Sequence, residues 1–298
     1  MSQSTRHIMM MEPAAFGPNP QTRTTNSFQH AADDALADTI HQRAVNEFRA
    51  FRDRLVEQGI WVTTARGVRE CPDDIFCNNW ISTHPGKKMV LYPMQAPNRR
   101  TERRADLLEW LSGHYATEAD FSPQEAQDRF LESTGCLAQD RVNKRVYFAR
   151  SARGDEGLAR QWAEIMGYEL IAFDTQGPER KPIYHTDVLL WIGTGVAGIC
   201  AEVIADDDRD RVLGALRETH DVVILDYDEL LHFCGNALEL RGTDAQLYLV
   251  MSEAAAGALR PENRDLILQH VDAIVSSDLT TIEYYGGGSA RCMLLELF

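Results

Sequence analysis

Arg145-Val146-Tyr147-Phe148-Ala149 is followed by a helical run over 157–166 and then by Glu169-Leu170-Ile171-Ala172-Phe173. The outer two segments are short and rich in β-branched and aromatic residues, so they read as strands. The helix between them stops at Gly167. A single strand–helix–strand unit cannot bury its apolar face alone and must pack against others. The same plan extends in both directions. Toward the N-terminus, a helix over 35–58 carries Ile40, Ala44, Val45, Phe48, Phe51 and Leu55 at helical spacing, stops at Gly59 and leads into Ile60-Trp61-Val62. Residues 74–80 and 88–92 read as a strand pair joined through Thr83-His84-Pro85-Gly86, with a helix over 101–112 and a strand end at 130–133. Toward the C-terminus come a hairpin (188–192, 196–203), a helix (207–219) and a strand (222–225). A second hairpin (233–240, 246–251), a helix (261–270), a strand (273–275) and a last strand-like run over 286–298 follow. The unit of strand, hairpin, helix and strand occurs about five times without clear repetition of residue identity. A closed ring of α/β units around one central site follows. An open doubly wound sheet is the alternative, and hairpins outnumber the single crossovers it needs.

The 298 residues, 44% hydrophobic and 25% charged, suffice for one large core or two smaller ones. No low-complexity stretch or long linker interrupts them, so 1–298 is expected to form one catalytic domain. The net charge of -15 argues against nucleic acid or an anionic membrane as partner. No apolar run approaches the roughly 18 residues of a membrane span. The start, 1–11, lacks a signal-peptide core. Six cysteines without CxxC spacing indicate neither zinc nor a disulfide framework. The expectation is a reduced, cytoplasmic protein.

Chemistry concentrates in three places. Gly286-Gly287-Gly288 precedes Arg291-Cys292; glycines let backbone N–H groups approach a substrate closely, and an arginine reaching the sulfur would lower its pKa. Glu132 lies in Leu131-Glu132-Ser133-Thr134-Gly135, and His185 with Asp187 in His185-Thr186-Asp187. A thiol, an imidazole and carboxylates far apart in sequence are what covalent hydrolysis at an electrophilic carbon requires.

The order of these motifs resembles the guanidine-group-modifying superfamily of arginine deiminases, dimethylarginine hydrolases and amidinotransferases. Met9-Met10-Met11-Glu12-Pro13, with Asn19, Asn26, Phe28 and Gln29, resembles its bacterial amidinotransferase-like, citrulline-hydrolase-like branch. The resemblance implies a fivefold pseudosymmetric α/β propeller (a pentein) with its site on the axis. It implies Cys292 as nucleophile, His185 as general acid and base, and Glu132 as the carboxylate beside that histidine. Asp187 matches the second acid of a His-x-Asp pattern. Arg99 resembles the arginine that holds the substrate carboxylate, with Arg153 as a second one. Where many relatives carry Phe-x-x-Asp, this chain reads Phe76-Cys77-Asn78-Asn79. A neutral amide deprives a guanidinium of a charge-assisted partner, worth roughly 1.5–3 kcal/mol, and suits a ureido group that both accepts and donates.

The expected reaction is therefore hydrolysis of citrulline to ornithine, carbon dioxide and ammonia. A small amino acid is the partner and no metal or organic cofactor is required. The alternatives are an arginine deiminase, a dimethylarginine-type hydrolase, an amidinotransferase, or a non-catalytic amino-acid binder on the same scaffold. Relatives' habits imply a homodimer, of which the sequence itself carries no sign. Each residue also has a structural reading: His185 as a satisfied core histidine, Glu132 as a loop cap, Asn78 as a backbone partner, and Arg99 with Arg100 as a solvated helix start.

Overall fold

The computed structural model describes residues 2–298; Met1, the head of the stretch read for a signal peptide, lies outside the described residues. Five three-stranded sheets surround a common axis, and each has the same internal order. An antiparallel pair, a hairpin in four of the five, supplies an inner and a middle strand, and a third strand pairs parallel with the middle one. In the sheet containing Arg145–Ala149, the inner strand is Ala138–Asp140 and the outer one Glu169–Phe173. The equivalent inner, middle and outer strands are Ile81–His84, Lys88–Leu91 and Ala116–Asp120. Next come Leu190–Ile192, Val196–Cys200 and Asp221–Leu225, then Leu238–Arg241, Leu247–Ser252 and Ala273–Ser277. The fifth sheet closes the ring. Leu295–Leu297 pairs antiparallel with His7–Glu12, which pairs parallel with Trp61–Arg66. This is the expected pentein architecture.

A helix bridges each middle strand to its parallel outer strand, because a parallel connection needs a crossover. The longest, Ala37–Glu57, buries Ile40, Ala44, Val45, Phe48, Phe51 and Leu55, the six positions picked out by helical spacing. Glu156–Met166 ends at Gly167 in the left-handed region (φ 70°). Among the described residues no helix is long and apolar enough to cross a membrane.

Four local expectations change next to the site. The hairpin strand read over 233–240 begins only at Leu238, after a turn closed by Asn236 N–H to Phe233 O. Residues 74–80 are not a strand: Cys77–Asn79 form a 3₁₀ turn and the strand begins at Ile81. Residues 130–133 do not end as a strand either; Glu132 caps a one-turn helix, Ser133–Cys136. Cys292 sits on a 3₁₀ turn, Ala290–Met293, ahead of a strand confined to Leu295–Leu297. In each case a side chain or backbone group used by the site displaces ladder pairing. Strand propensity alone does not reveal this.

Candidate active site

The short turns that precede the inner strands converge on one end of the axis. There a narrow cavity is lined by Asn79, Arg99, Arg153, His185 and Cys292, together with Asp73, Tyr184 and the Gly286–Gly288 turn. Glu132 is hydrogen-bonded to His185 and Arg153, and Asp187 to Cys292, while Asn78 is bonded to Asp187 and does not line the cavity.

His185 Nε2 lies 2.7 Å from Glu132 Oε2, and both side chains are buried. Glu132 also faces Arg153 Nη1 at 3.4 Å and Arg99 Nη1 at 4.0 Å, and it accepts the Gln95 N–H at 3.0 Å. Burial opposes ionisation of Glu132, yet Arg153, the histidine and Arg99 together hold its carboxyl well below the usual carboxylate range. Burial lowers the His185 pKa, and the Glu132 contact only partly offsets it. The ring therefore rests neutral at neutral pH. Ser133, the residue after Glu132, has φ 42°, in the left-handed region costly for a side chain. Its hydroxyl donates to Ile81 O at 2.9 Å, which helps hold the turn. Gly135 completes it, since a Cβ there would stand 2.7 Å from His185 Nδ1 and 2.6 Å from Asn79 Nδ2.

Cys292 Sγ lies 3.6 and 3.8 Å from the two Asp187 carboxylate oxygens and accepts the Asn236 side-chain N–H at 3.2 Å. Burial and then the Asp187 charge push the thiol up, so it rests protonated. Burial likewise raises Asp187. Arg291 does not reach the sulfur as its position in sequence implied. Its guanidinium turns away to Leu294 O at 2.9 Å and Glu296 at 3.1 Å. The glycine turn is held open by Gly287 at φ 66°, whose carbonyl accepts from Asn26 Nδ2 at 3.0 Å and from the Tyr184 hydroxyl.

Asn79 Oδ1 accepts from Arg99 Nη1 at 2.9 Å, leaving Asn79 Nδ2 buried without a partner. Asn78 Nδ2 donates to Asp187 Oδ2 at 3.1 Å and Thr134 Oγ1 at 3.2 Å, leaving Asn78 Oδ1 without one. Arg99 is not part of a solvated helix start. It is buried, its fork spread over Glu102 (2.7 and 3.1 Å) and its Nη2 also given to Phe76 O. Arg153 is spread over Thr25 Oγ1, Glu132 and Thr22 O.

A family model for eukaryotic N,N-dimethylarginine dimethylhydrolase matches residues 12–298. The chain belongs to that family. Dimethylarginine dimethylhydrolase membership places it among the hydrolases that act on carbon–nitrogen bonds of guanidino compounds, within the guanidine-group-modifying superfamily. No curated protein matches the chain. Among solved structures, it resembles the N-terminal domain of ArgZ, an arginine dihydrolase of the ornithine–ammonia cycle in cyanobacteria (TM-score 0.77, 15% identity, 97% of each chain covered). It also resembles an AgrE variant in complex with L-arginine (TM-score 0.78, 15% identity, 98% of this chain and 40% of that one). A dimethylarginine dimethylaminohydrolase bearing an S-methyl-L-thiocitrulline adduct aligns over 98% of this chain and 99% of its own (TM-score 0.67, 15% identity). At these identities the neighbours show the shared fold.

Sequence reasoning missed Asp73 and Asn236. Asp73 is buried, accepts from Asn19 Nδ2 at 2.8 Å and Thr22 Oγ1 at 3.1 Å through Oδ2, and keeps Oδ1 unpartnered at the cavity. Its signal was an acid pair, Asp73-Asp74, set between Cys71 and Ile75-Phe76 where burial is the rule. The signal for Asn236 was positional, a Gly-Asn pair just ahead of an inner strand. Among the described residues no group of three or more His, Cys, Asp or Glu forms a metal-binding cluster.

Proposed function

We propose that the chain hydrolyses the ureido group of citrulline or a closely related α-amino acid, giving ornithine, carbon dioxide and ammonia. One observation carries this reading: Asn79, which lines the cavity, keeps its Nδ2 donor buried without a partner. Its amide is not free to flip. Asn79 Oδ1 faces an arginine, which only donates. A ureido group offers a carbonyl oxygen to the Asn79 donor. A guanidinium has nothing to accept the Asn79 N–H.

Asp73 Oδ1 is suited to the α-ammonium of the substrate. Arg99 has given four of its five N–H groups to Glu102, Phe76 and Asn79, and Arg153 three of its five to Thr25, Glu132 and Thr22. The N–H groups left over are suited to the α-carboxylate, with Arg153 contributing more than Arg99. Cys292 attacks the ureido carbon. The proton lost by the thiol is gained by the departing nitrogen, with His185 as carrier and Glu132 stabilising the imidazolium. Asn79 Nδ2 stabilises the oxyanion; the Gly287 N–H takes no part, because it donates to Glu283 O at 2.9 Å. Water then attacks the S-linked carbon, its hydroxyl ending on carbon and its proton on sulfur. The residual carbamate decomposes to carbon dioxide and ammonia.

All five units of the ring contribute to this one site, which supports 1–298 as a single catalytic unit. Six unpaired cysteines suit a reducing, cytoplasmic setting.

A second reading, hydrolysis of a guanidine, is favoured by the family match and by the Asp187 carboxylate beside Cys292, which can face a cation. The deciding experiment is a panel of citrulline, arginine, methylated arginines and agmatine, read for ammonia and for the amino-acid product. Ornithine from citrulline supports the first reading. Turnover of guanidines with citrulline left untouched rejects it.

A further inference from the structure

Four of the five units send a short helical turn to the axis immediately before the inner strand: Cys77–Asn79, Ser133–Cys136, Thr186–Val188 and Ala290–Met293. These turns, with the residues capping them, carry Asn78, Asn79, Glu132, His185, Asp187 and Cys292. The remaining unit turns there too, with Asn236 N–H donating to Phe233 O at 2.8 Å just before Leu238–Arg241. The residue it delivers is Asn236. Its side chain is fully buried and meets three groups of the site. Asn236 Nδ2 donates to Asp187 O at 2.8 Å and to Cys292 Sγ at 3.2 Å, while Oδ1 accepts the Arg291 N–H at 3.0 Å. A backbone carbonyl only accepts and a backbone N–H only donates, so the NH₂ group must face the sulfur.

We propose that Asn236 is a catalytic residue whose side-chain amide stabilises Cys292 as the thiolate that attacks the substrate. The need for such a donor is local. The carboxylate of Asp187 approaches the same sulfur and opposes its charge, and the Arg291 guanidinium is committed to Leu294 O and Glu296. Among the described residues, Asn236 is the only side chain that donates a hydrogen bond to Sγ. With a neutral ureido substrate, no incoming cation compensates the thiolate, so the amide carries that task. Its bond to Asp187 O and its bond from Arg291 N–H fix the donor before substrate arrives, so no reorganisation is needed when the charge forms. This inference rests on Cys292 being the nucleophile.

The test uses Asn236→Asp and Asn236→Ala in the full chain. Alkylation of Cys292 by iodoacetamide is followed against pH, with the modified peptide located by mass so that the other cysteines do not count, alongside kcat and KM for citrulline. In both variants the midpoint of Cys292 alkylation should move up by about one to two pH units. At neutral pH kcat should fall roughly ten- to hundred-fold while KM changes less than about threefold. Asn236→Asp keeps the size and the acceptor for the Arg291 N–H, so it decides the matter if Asn236→Ala does not fold. An alkylation profile that stays in place overturns the proposal even if kcat drops, because a structural role would leave the thiol untouched. If Cys292→Ala retains turnover, the nucleophile assignment itself has failed. If Cys292→Ala is inactive while the Asn236 variants titrate like the parent, only this inference fails.

Discussion

His185 and Glu132, 53 residues apart in the chain, meet at 2.7 Å in a buried site where Glu132 also faces two arginines. Glu132 thereby balances two guanidiniums and orients the imidazole. Replacing it with glutamine leaves Arg99 and Arg153 undercompensated. Glu132→Gln should cost about 3–5 kcal/mol of stability by the usual penalty for breaking a buried ion pair. It should also lower kcat at least about 10²-fold. Denaturant unfolding and steady-state kinetics check the two effects separately.

Cys292→Ala should lower turnover by more than ~10³-fold without loss of fold, since the thiol is the proposed bond-forming atom. Intact-protein mass spectrometry during turnover of the unaltered enzyme should reveal an S-linked adduct on the Cys292 peptide.

Gly135→Ala places a methyl 2.7 Å from His185 Nδ1 and 2.6 Å from Asn79 Nδ2. Overpacking of this kind costs about 1–3 kcal/mol, and here it displaces a proposed acid–base group. A lowered Tm together with a loss of kcat is expected. Full activity would show that the ring does not need its present position.

Asn79→Asp should shift preference toward a guanidine. A carboxylate at 79 gains a charge-assisted contact with a cation and loses the donor to a ureido oxygen, each worth about 1–3 kcal/mol. The ratio of kcat/KM for citrulline to that for arginine should fall at least tenfold, as measured by product chromatography. Asp73→Asn should raise KM for α-amino acids and for agmatine alike, since agmatine lacks the α-carboxylate but keeps the ammonium that Asp73 is proposed to face.

Glu283 holds the helix ahead of the glycine turn through Ser289, and burial pushes its carboxyl up to about 7 from an ordinary 4.5. The folded state therefore binds this proton more tightly than the unfolded chain. Its contribution to stability is full below pH 4.5 and declines as pH rises toward 7. Glu283→Gln should flatten the dependence of Tm on pH across that window. A variant with the parent's slope would show that Glu283 ionises normally.

The repeat was legible because each unit carries its own hydrophobic signature. Ala37–Glu57 buries the residues its spacing marks, and Arg145–Ala149 and Glu169–Phe173 are strands at the expected bounds. The turns that feed the axis were less legible. Cys77–Asn79 and Ala290–Met293 sit directly beside apolar, strand-like residues (Ile75-Phe76 and Trp80-Ile81; Leu294-Leu295), so a short window runs the strand through them. Arg99 shows the same limit from another side. As one of several arginines in an exposed-looking run it reads as part of a solvated helix start, yet it packs inward against Glu102.

By itself, the sequence determined the fivefold α/β plan and the stock of chemically useful groups, because hydrophobic periodicity and residue type are local properties. Only the closed ring decided which atoms meet. It turned Arg291 from the sulfur and brought Asn236 to it, left one atom each of Asp73, Asn78 and Asn79 without a partner, and shut Glu132 between two arginines. These outcomes depend on side-chain direction and desolvation at an axis where five distant segments converge, and no short window of sequence contains them.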